Sequence, residues 1–338
     1  MAEYRNRRKQ EERIKAVENG RRTQMDERSK RAQMERKRRT RRKKQRRRVL
    51  ISALVEVLIL AVLALTLCWD RGLSAKVSGV LGIFDRPPVT ELDVSGVNSS
   101  NVLLMDVKSG KVIGNLNGEE QIYPASMTKI MTAIVALEAF SDLDHEITLS
   151  ENIFYALDGQ DATQAGFQPG ESVRVRDLVY GVMLPSGAEC CLALADEVSG
   201  SEEAFVEKMN KKAKSIGMKD THFMDCTGLH DPEHYSTAYD IALLLKYALH
   251  NDTFREVAES HFHSTPATNV HPDGITYYST MFKNMSDTSV TGGEILGGKT
   301  GYTSEAGHCL ASFAQIYGRE YILVTAGAAA DATGVPHI

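Results

Sequence analysis

Three short stretches of the chain carry residue types able to perform nucleophilic chemistry. In Ser126-Met127-Thr128-Lys129 a serine and a lysine stand three apart, where an apolar helical pattern begins (Ile130, Met131, Ala133, Ile134, Val135, Leu137, Phe140). Residues at this spacing share one helix face, so the lysine can lie beside the serine hydroxyl. A buried lysine near other cations can lose its proton and act as a base. The helix N-terminus then favours negative charge developing at the serine. Alone, the same spelling also reads as an ordinary serine N-cap. Leu184-Pro185-Ser186-Gly187-Ala188 places a second serine in a loop just before a helix. Gly297-Gly298-Lys299-Thr300-Gly301 places a lysine and a threonine on a strand among glycines. Glycines there permit close backbone approach, which suits a peptide laid alongside as an extra strand. Lys299 and Thr300 would hold a carboxylate by charge-assisted hydrogen bonds.

The elements that position these residues follow from periodicity. Val102–Asp106 and Val112–Gly114 read as a hairpin around Lys108-Ser109-Gly110-Lys111, leading through Tyr123-Pro124 into the Ser126 helix. From about Ile147 to Leu249 the pattern is mainly helical, with helices expected over Val173–Met183, Ala188–Val198, Glu203–Ile216 and Ala238–Leu249. Strands return over Gly297–Thr303, His308–Ile316 and Tyr321–Ala326. This order predicts an α+β fold with one antiparallel sheet built from both chain ends and a helical insertion between them. Gly293 to Thr300 also matches the letters of a phosphate-binding loop. It lacks the strand before and the helix after that such a loop requires.

Upstream, the composition changes sharply. Residues 1–48 carry 22 Lys+Arg against 7 Asp+Glu, whereas the remainder carries 18 against 37. Between the two lies the apolar run 49–69, interrupted by Glu56. Its length suits a bilayer-spanning helix, and the cationic flank predicts a cytoplasmic N-terminus. The predicted organisation is a basic cytoplasmic tail (1–48), an uncleaved transmembrane signal anchor (49–69), a Gly- and Pro-containing stalk (70–97) and an extracytoplasmic catalytic domain (98–338). The tail has one aromatic residue, Tyr4, and no nucleic-acid-binding motif, so membrane lipid is its expected partner and nucleic acid is not. The five cysteines, Cys68, Cys190, Cys191, Cys226 and Cys309, form no C-x-x-C pair and read mostly as buried thiols, with a bridge through Cys226 left open.

The ordered trio S-x-x-K, S-G-x and K-T-G resembles the motif set of the serine D-alanyl-D-alanine carboxypeptidases, the S11 low-molecular-mass penicillin-binding proteins. The resemblance runs from about residue 98 to the end. It includes Tyr-Pro-Ala-Ser-Met-Thr-Lys (123–129), Leu-Pro-Ser-Gly (184–187), Thr-Gly-Leu (227–229), His-Tyr-Ser-Thr-Ala (234–238) and Gly-Gly-Lys-Thr-Gly-Tyr-Thr (297–303). It implies the serine β-lactamase/DD-peptidase fold, with Ser126 as acylated nucleophile, Lys129 as its base and Ser186 as proton relay to the leaving D-alanine. Lys299, Thr300 and Gly301 would bind the substrate's terminal carboxylate, and the backbone N–H groups of Ser126 and Tyr302 would form the oxyanion hole. The implied substrate is the peptidoglycan stem pentapeptide, with β-lactams as covalent inhibitors and no metal or organic cofactor.

Two features depart from the family pattern. Ala188 stands where the second motif usually has asparagine, which removes one polar anchor and implies altered turnover. The chain also stops soon after Tyr321–Ala326, where the family continues into a further helix. Three rival readings stand beside this one. A serine β-lactamase shares the trio and would deacylate with a loop glutamate, for which Glu233 is the candidate. A non-hydrolysing sensor would retain the fold without turnover. A zinc peptidase would build on His261-Phe262-His263, but no H-E-x-x-H accompanies it.

Overall fold

The computed structural model describes residues 97–329. The basic tail, the apolar segment 49–69 with Cys68, nearly all of the stalk and the residues after Ala329 lie outside the described residues. Among the described residues, no helix is long and apolar enough to cross a membrane.

The first and last strands lie side by side. β1 (Asn101–Asp106) pairs antiparallel with β12 (Arg319–Ala328), from Asn101 opposite Ala326 to Asp106 opposite Tyr321. With β2 (Val112–Leu116), β9 (Ser289–Val290), β10 (Gly293–Thr303) and β11 (Gly307–Ile316) they make a six-stranded antiparallel sheet in the order β2-β1-β12-β11-β10-β9. The sheet from both chain ends is therefore present. Period-two alternation drives its inner face: Cys309, Ala311 and Phe313 of β11 and Ile322, Val324 and Ala326 of β12 are all buried. They form one core with the inserted helices.

Seven α-helices occupy the insertion among the described residues. α1 (Lys129–Ala139) is buried from Lys129 through Leu137, as expected of a helix apolar on all sides. It packs against α3 (Val175–Met183), α4 (Ala188–Ser199), α5 (Glu202–Ser215) and α6 (Ala238–Ala248), with α6 also lying on β1 and β12. α2 (Glu151–Leu157) and α7 (Asp252–Glu259) complete the set. Helix starts are chemically marked: Ser201, Thr237 and Asn251 each accept a backbone N–H with their side chains.

The structure corrects several boundaries. The helix expected over Val173–Met183 begins only at Val175, because Ser172–Arg174 forms β5, paired with β4 (Glu146–Thr148). Val173 is buried between two less buried polar neighbours, a two-residue alternation that a helical reading overlooks. Ser126 is not the N-cap of α1. It lies inside a 3-10 turn, Ala125–Thr128, that runs directly into the helix, and its side chain caps nothing. Two strands fall where none was expected, β7 (Phe262–Ser264) and β8 (Thr276–Tyr278). Two short pairing strands, β3 (Gln121–Ile122) and β6 (Ser236–Thr237), flank the serine turn and α6. Gly293 to Thr300 lies wholly within β10, so it forms no phosphate loop.

The histidines of the H-x-H sequence serve packing. His263 Nε2 lies 2.7 Å from the buried Asp177 carboxylate and its ring stacks on Tyr180, while His261 stacks on Phe282. Among the described residues, no three His, Cys, Asp or Glu side chains are grouped to hold a metal ion. Cys190, Cys191, Cys226 and Cys309 are all free and buried, and burial pushes the Cys191 thiol up to about 12 and that of Cys309 to about 11. They behave as small apolar side chains.

Asp177 ties β5, α3 and the β7–β8 hairpin together. Arg174 Nε donates to it at 2.7 Å, opposite its contact with His263. Burial opposes its ionisation, but His263 and Arg174 prevail and hold its carboxyl below the ordinary 3.8. A carboxyl depressed in the folded state stabilises it above roughly pH 4 and loses that contribution as the pH falls through the folded value. Asp177→Asn is therefore expected to cost about 1.5–3 kcal/mol at pH 7, the range for hydrogen bonds to a charged group. In urea unfolding the deficit against wild type should shrink at pH 3; a deficit independent of pH would contradict the assignment.

Candidate active site

The active-site candidate is built where four segments meet: the serine turn, the α3–α4 loop, the loop 225–229 and β10. Lys129 is buried, and its Nζ donates to Ser126 Oγ at 3.0 Å and to the Thr227 carbonyl at 2.5 Å. The i, i+3 spacing thus brings the amine to the hydroxyl across the junction of the 3-10 turn and α1. Lys299, only 1 % exposed, donates to Ser186 Oγ at 3.0 Å and to the Thr300 carbonyl at 2.7 Å. Burial, and then the charge of Lys129, push the Lys299 amine well below the usual lysine range. No carboxylate pairs with either lysine among the described residues, so a substrate carboxylate would supply charge that the site lacks.

Backbone conformation is part of the construction. Ala125 and Ser186 are non-glycine residues in the left-handed region, with φ of +47° and +70°. Such a conformation costs roughly 1–3 kcal/mol each and persists only where surroundings enforce it. At Ser186 the enforcement is visible: Gly187 N–H donates to the Gly181 carbonyl and Ala188 N–H to that of Thr163, fixing the loop at the head of α4. Two glycines let neighbouring backbone close on the serine. A Cβ on Gly228, itself at φ +84°, would lie 1.9 Å from the Ala125 carbonyl oxygen, and one on Gly301 would lie 2.9 Å from Ser126 N.

β10 offers an open edge to this cleft. Among the described residues, β9 pairs with Gly293 and Glu294 of β10, whereas Gly297–Thr303 pairs on the β11 side alone. A bulge between Ile295 and Gly297 separates the two regions. Thr300 Oγ1 is 2.6 Å from Thr280 Oγ1, and Thr280 N–H donates to the Leu184 carbonyl, linking β10 to the Ser186 loop. Tyr302 follows Gly301 with its ring more than half exposed and tilted against His308.

The structure therefore brings Ser126, Lys129, Ser186, Lys299, Thr300 and Gly301 into one region. Ala188 is buried in the first turn of α4. Glu189 turns away from the lysines: its Oε1 accepts the Ala165 and Gly166 N–H groups at 2.6 and 2.9 Å. Its carboxyl is raised by burial. Glu233 is exposed. Sequence reasoning missed Asp225, whose Oδ1 accepts the N–H groups of Thr227 and Gly228 and the Thr227 hydroxyl. It also missed Thr280 and Thr128. An Asp two residues before Thr-Gly is a turn signal that could have marked the first.

Comparison with known proteins bears on the same region. The family model described as D-alanyl-D-alanine carboxypeptidase, Peptidase S11, matches residues 89–330. The D-alanyl-D-alanine carboxypeptidase DacF of Bacillus subtilis is 34% identical over 245 residues, covering 68% of this chain and 57% of that protein. DacC of Escherichia coli is 38% identical over 171 residues, covering 47% and 42% respectively. This chain thus spans about half the length of these relatives. The D-alanyl-D-alanine carboxypeptidase of a Streptomyces strain is 31% identical, covering 73% of this chain and 86% of that protein. The crystal structure of the Streptomyces K15 DD-transpeptidase superimposes with a TM-score of 0.63 at 28% identity, covering 71% of this chain and 93% of that one.

Gly228 gives a direct test of the close packing. Gly228→Ala adds a methyl group where the Ala125 carbonyl stands and places alanine at positive φ. The variant is expected to be destabilised by at least about 1 kcal/mol, with a lowered urea midpoint. An unchanged midpoint would mean that loop 225–229 does not press on the serine turn.

Proposed function

The chain belongs to the S11 family of D-alanyl-D-alanine carboxypeptidases, and from that premise we propose that it is a serine D,D-carboxypeptidase acting on peptidoglycan stem pentapeptides. The observation that carries this reading is the Lys129–Ser126 contact, with the Lys299–Ser186 pair in the same region. The substrate's C-terminal segment would lie along the open edge of β10 as an added strand. Lys299 and Thr300 would hold its terminal carboxylate, with Gly301 leaving room for the backbone.

In acylation, the Lys129 amine takes the Ser126 proton as Oγ attacks the carbonyl carbon of the penultimate D-alanine. The Ser126 and Tyr302 N–H groups stabilise the oxyanion, where each donor contributes about 3–4 kcal/mol in the transition state. The C–N bond then breaks as the proton held by Lys129 passes through the Ser186 hydroxyl, which Lys299 positions, to the leaving amine, and Lys129 returns to the free amine. Water then attacks the ester carbonyl carbon as Lys129 takes its proton; the acyl C–Oγ bond breaks, Lys129 returns the proton to Ser126 Oγ, and the shortened peptide leaves. No cofactor enters these steps. β-Lactams would acylate the same serine. Ala188 offers no side-chain amide to the substrate or to Lys129, which is expected to slow turnover.

The second part of the proposal concerns location. The run 49–69 supports a single-pass anchor, and the cationic residues 1–48 support a cytoplasmic N-terminus, with the catalytic domain outside the membrane. Removal of terminal D-alanine there would eliminate donor bonds used for cross-linking.

Full-length protein in detergent should release D-alanine from a stem pentapeptide and form a covalent adduct with a fluorescent penicillin. Ser126→Ala should abolish both while keeping the urea midpoint of wild type. D-alanine release by a folded Ser126→Ala variant would rule out the assigned nucleophile, and adduct formation without D-alanine release by wild type would favour a non-hydrolysing sensor.

A further inference from the structure

A buried acid–imidazole pair outside the S-x-x-K, S-G-x and K-T-G stretches stands behind the lysine. His234, buried, places Nδ1 3.0 Å from Asp225 Oδ2 and Nε2 2.9 Å from Thr128 Oγ1. Thr128 is fully buried and is the last residue of the serine turn, immediately before Lys129. The other oxygen of Asp225 collects three donors from Thr227 and Gly228. Those bonds orient the Thr227 carbonyl, which accepts from Lys129 Nζ. One turn along α1, Thr132 Oγ1 donates to the adjacent Cys226 carbonyl at 2.6 Å.

We propose that Asp225 and His234, acting through Thr128 and Thr227, form a positioning pair that aims the Lys129 amine at Ser126. This rests on the reading of Ser126 as nucleophile and Lys129 as base. The carboxylate can only accept, so His234 Nδ1 donates to Asp225, with the Met224 N–H a longer 3.3 Å from the same nitrogen, while Nε2 bonds the Thr128 hydroxyl. One imidazole tautomer thereby ties the serine turn to the loop bearing the lysine's carbonyl partner. Burial opposes a charge on Asp225, but its bonds from His234, Thr227 and Gly228 hold its carboxyl below the ordinary range, so the acceptor is present at neutral pH. A lysine held by one hydroxyl and one carbonyl has its remaining direction fixed by them. Releasing the carbonyl frees the amine to turn from Ser126 without altering Lys299 or the open edge of β10, where the substrate would bind.

The test separates chemistry from binding. The concentration dependence of acylation by a fluorescent penicillin gives the acylation rate constant and the dissociation constant of the preceding complex independently, using full-length protein in detergent. Asp225→Asn keeps the shape but faces His234 Nδ1 with an amide donor in place of an acceptor, if the carbonyl oxygen stays on Thr227. It should lower the acylation rate constant at least tenfold and change the dissociation constant less than twofold. His234→Gln should do the same, and it decides the matter should Asp225→Asn fail to unfold cooperatively. Folded variants acylated within twofold of wild type would overturn the proposal. So would parallel losses in both constants, which signify general distortion of the site. A wild-type chain that forms no adduct fails the Ser126 reading itself and this inference with it, whereas active wild type beside unaffected variants fails this inference alone.

Discussion

Two lysine amines are buried in one region without a carboxylate partner among the described residues, and the rest of the site is arranged around that constraint. Taking an ammonium group out of water is costly unless oxygen atoms replace its solvation. Lys129 finds a hydroxyl and a carbonyl in Ser126 and Thr227; Lys299 finds the same in Ser186 and Thr300. These four acceptors come from four segments far apart in the chain. The sheet, α1, the head of α4 and the loop 225–229 must all converge before either lysine is satisfied.

Convergence depends on removing side chains as much as on placing them. Gly228 and Gly301 bring main chain against the serine turn, where any Cβ would collide with backbone. The left-handed Ala125 and Ser186 carry conformational cost on either side of the cleft, supported by the main-chain bonds of their neighbours. Hydroxyl and imidazole groups then lock the approach, with Thr132, Thr128 and His234 each bonded across the gap between α1 and the loop 225–229. Asp177, bonded to Arg174 and His263, ties β5, α3 and the β7–β8 hairpin together outside this region.

Legibility in the sequence followed the range of the signal. The sheet strands 307–316 and 319–328, bounded by turn residues, and the helices at 188–199 and 238–248 are visible because their patterns are local. The region 172–183 was misread because a three-residue strand runs straight into a helix with no breaker between them. The β7–β8 hairpin was missed for a different reason. Its strands are three residues long and owe their place to contacts with Asp177, Glu171 and Phe282, which no local pattern announces.

The sequence by itself determined the reactive residue types and their order: Ser126 three before Lys129, Ser186 ahead of a helix, and Lys299-Thr300-Gly301 on a strand. It also determined that both chain ends supply strands, since alternation and turns are written residue by residue. Only the tertiary structure decided that Ser126 sits in a 3-10 turn instead of capping a helix. Only it decided that Glu189 braces the Ala165 and Gly166 N–H groups, and that Asp225, His234 and Thr128 meet behind Lys129. The physical reason is that a helix or turn fixes neighbours one turn apart. Hydrogen bonds spanning about a hundred residues, such as those of Lys129 with Thr227 and Thr128 with His234, exist only once the core has packed.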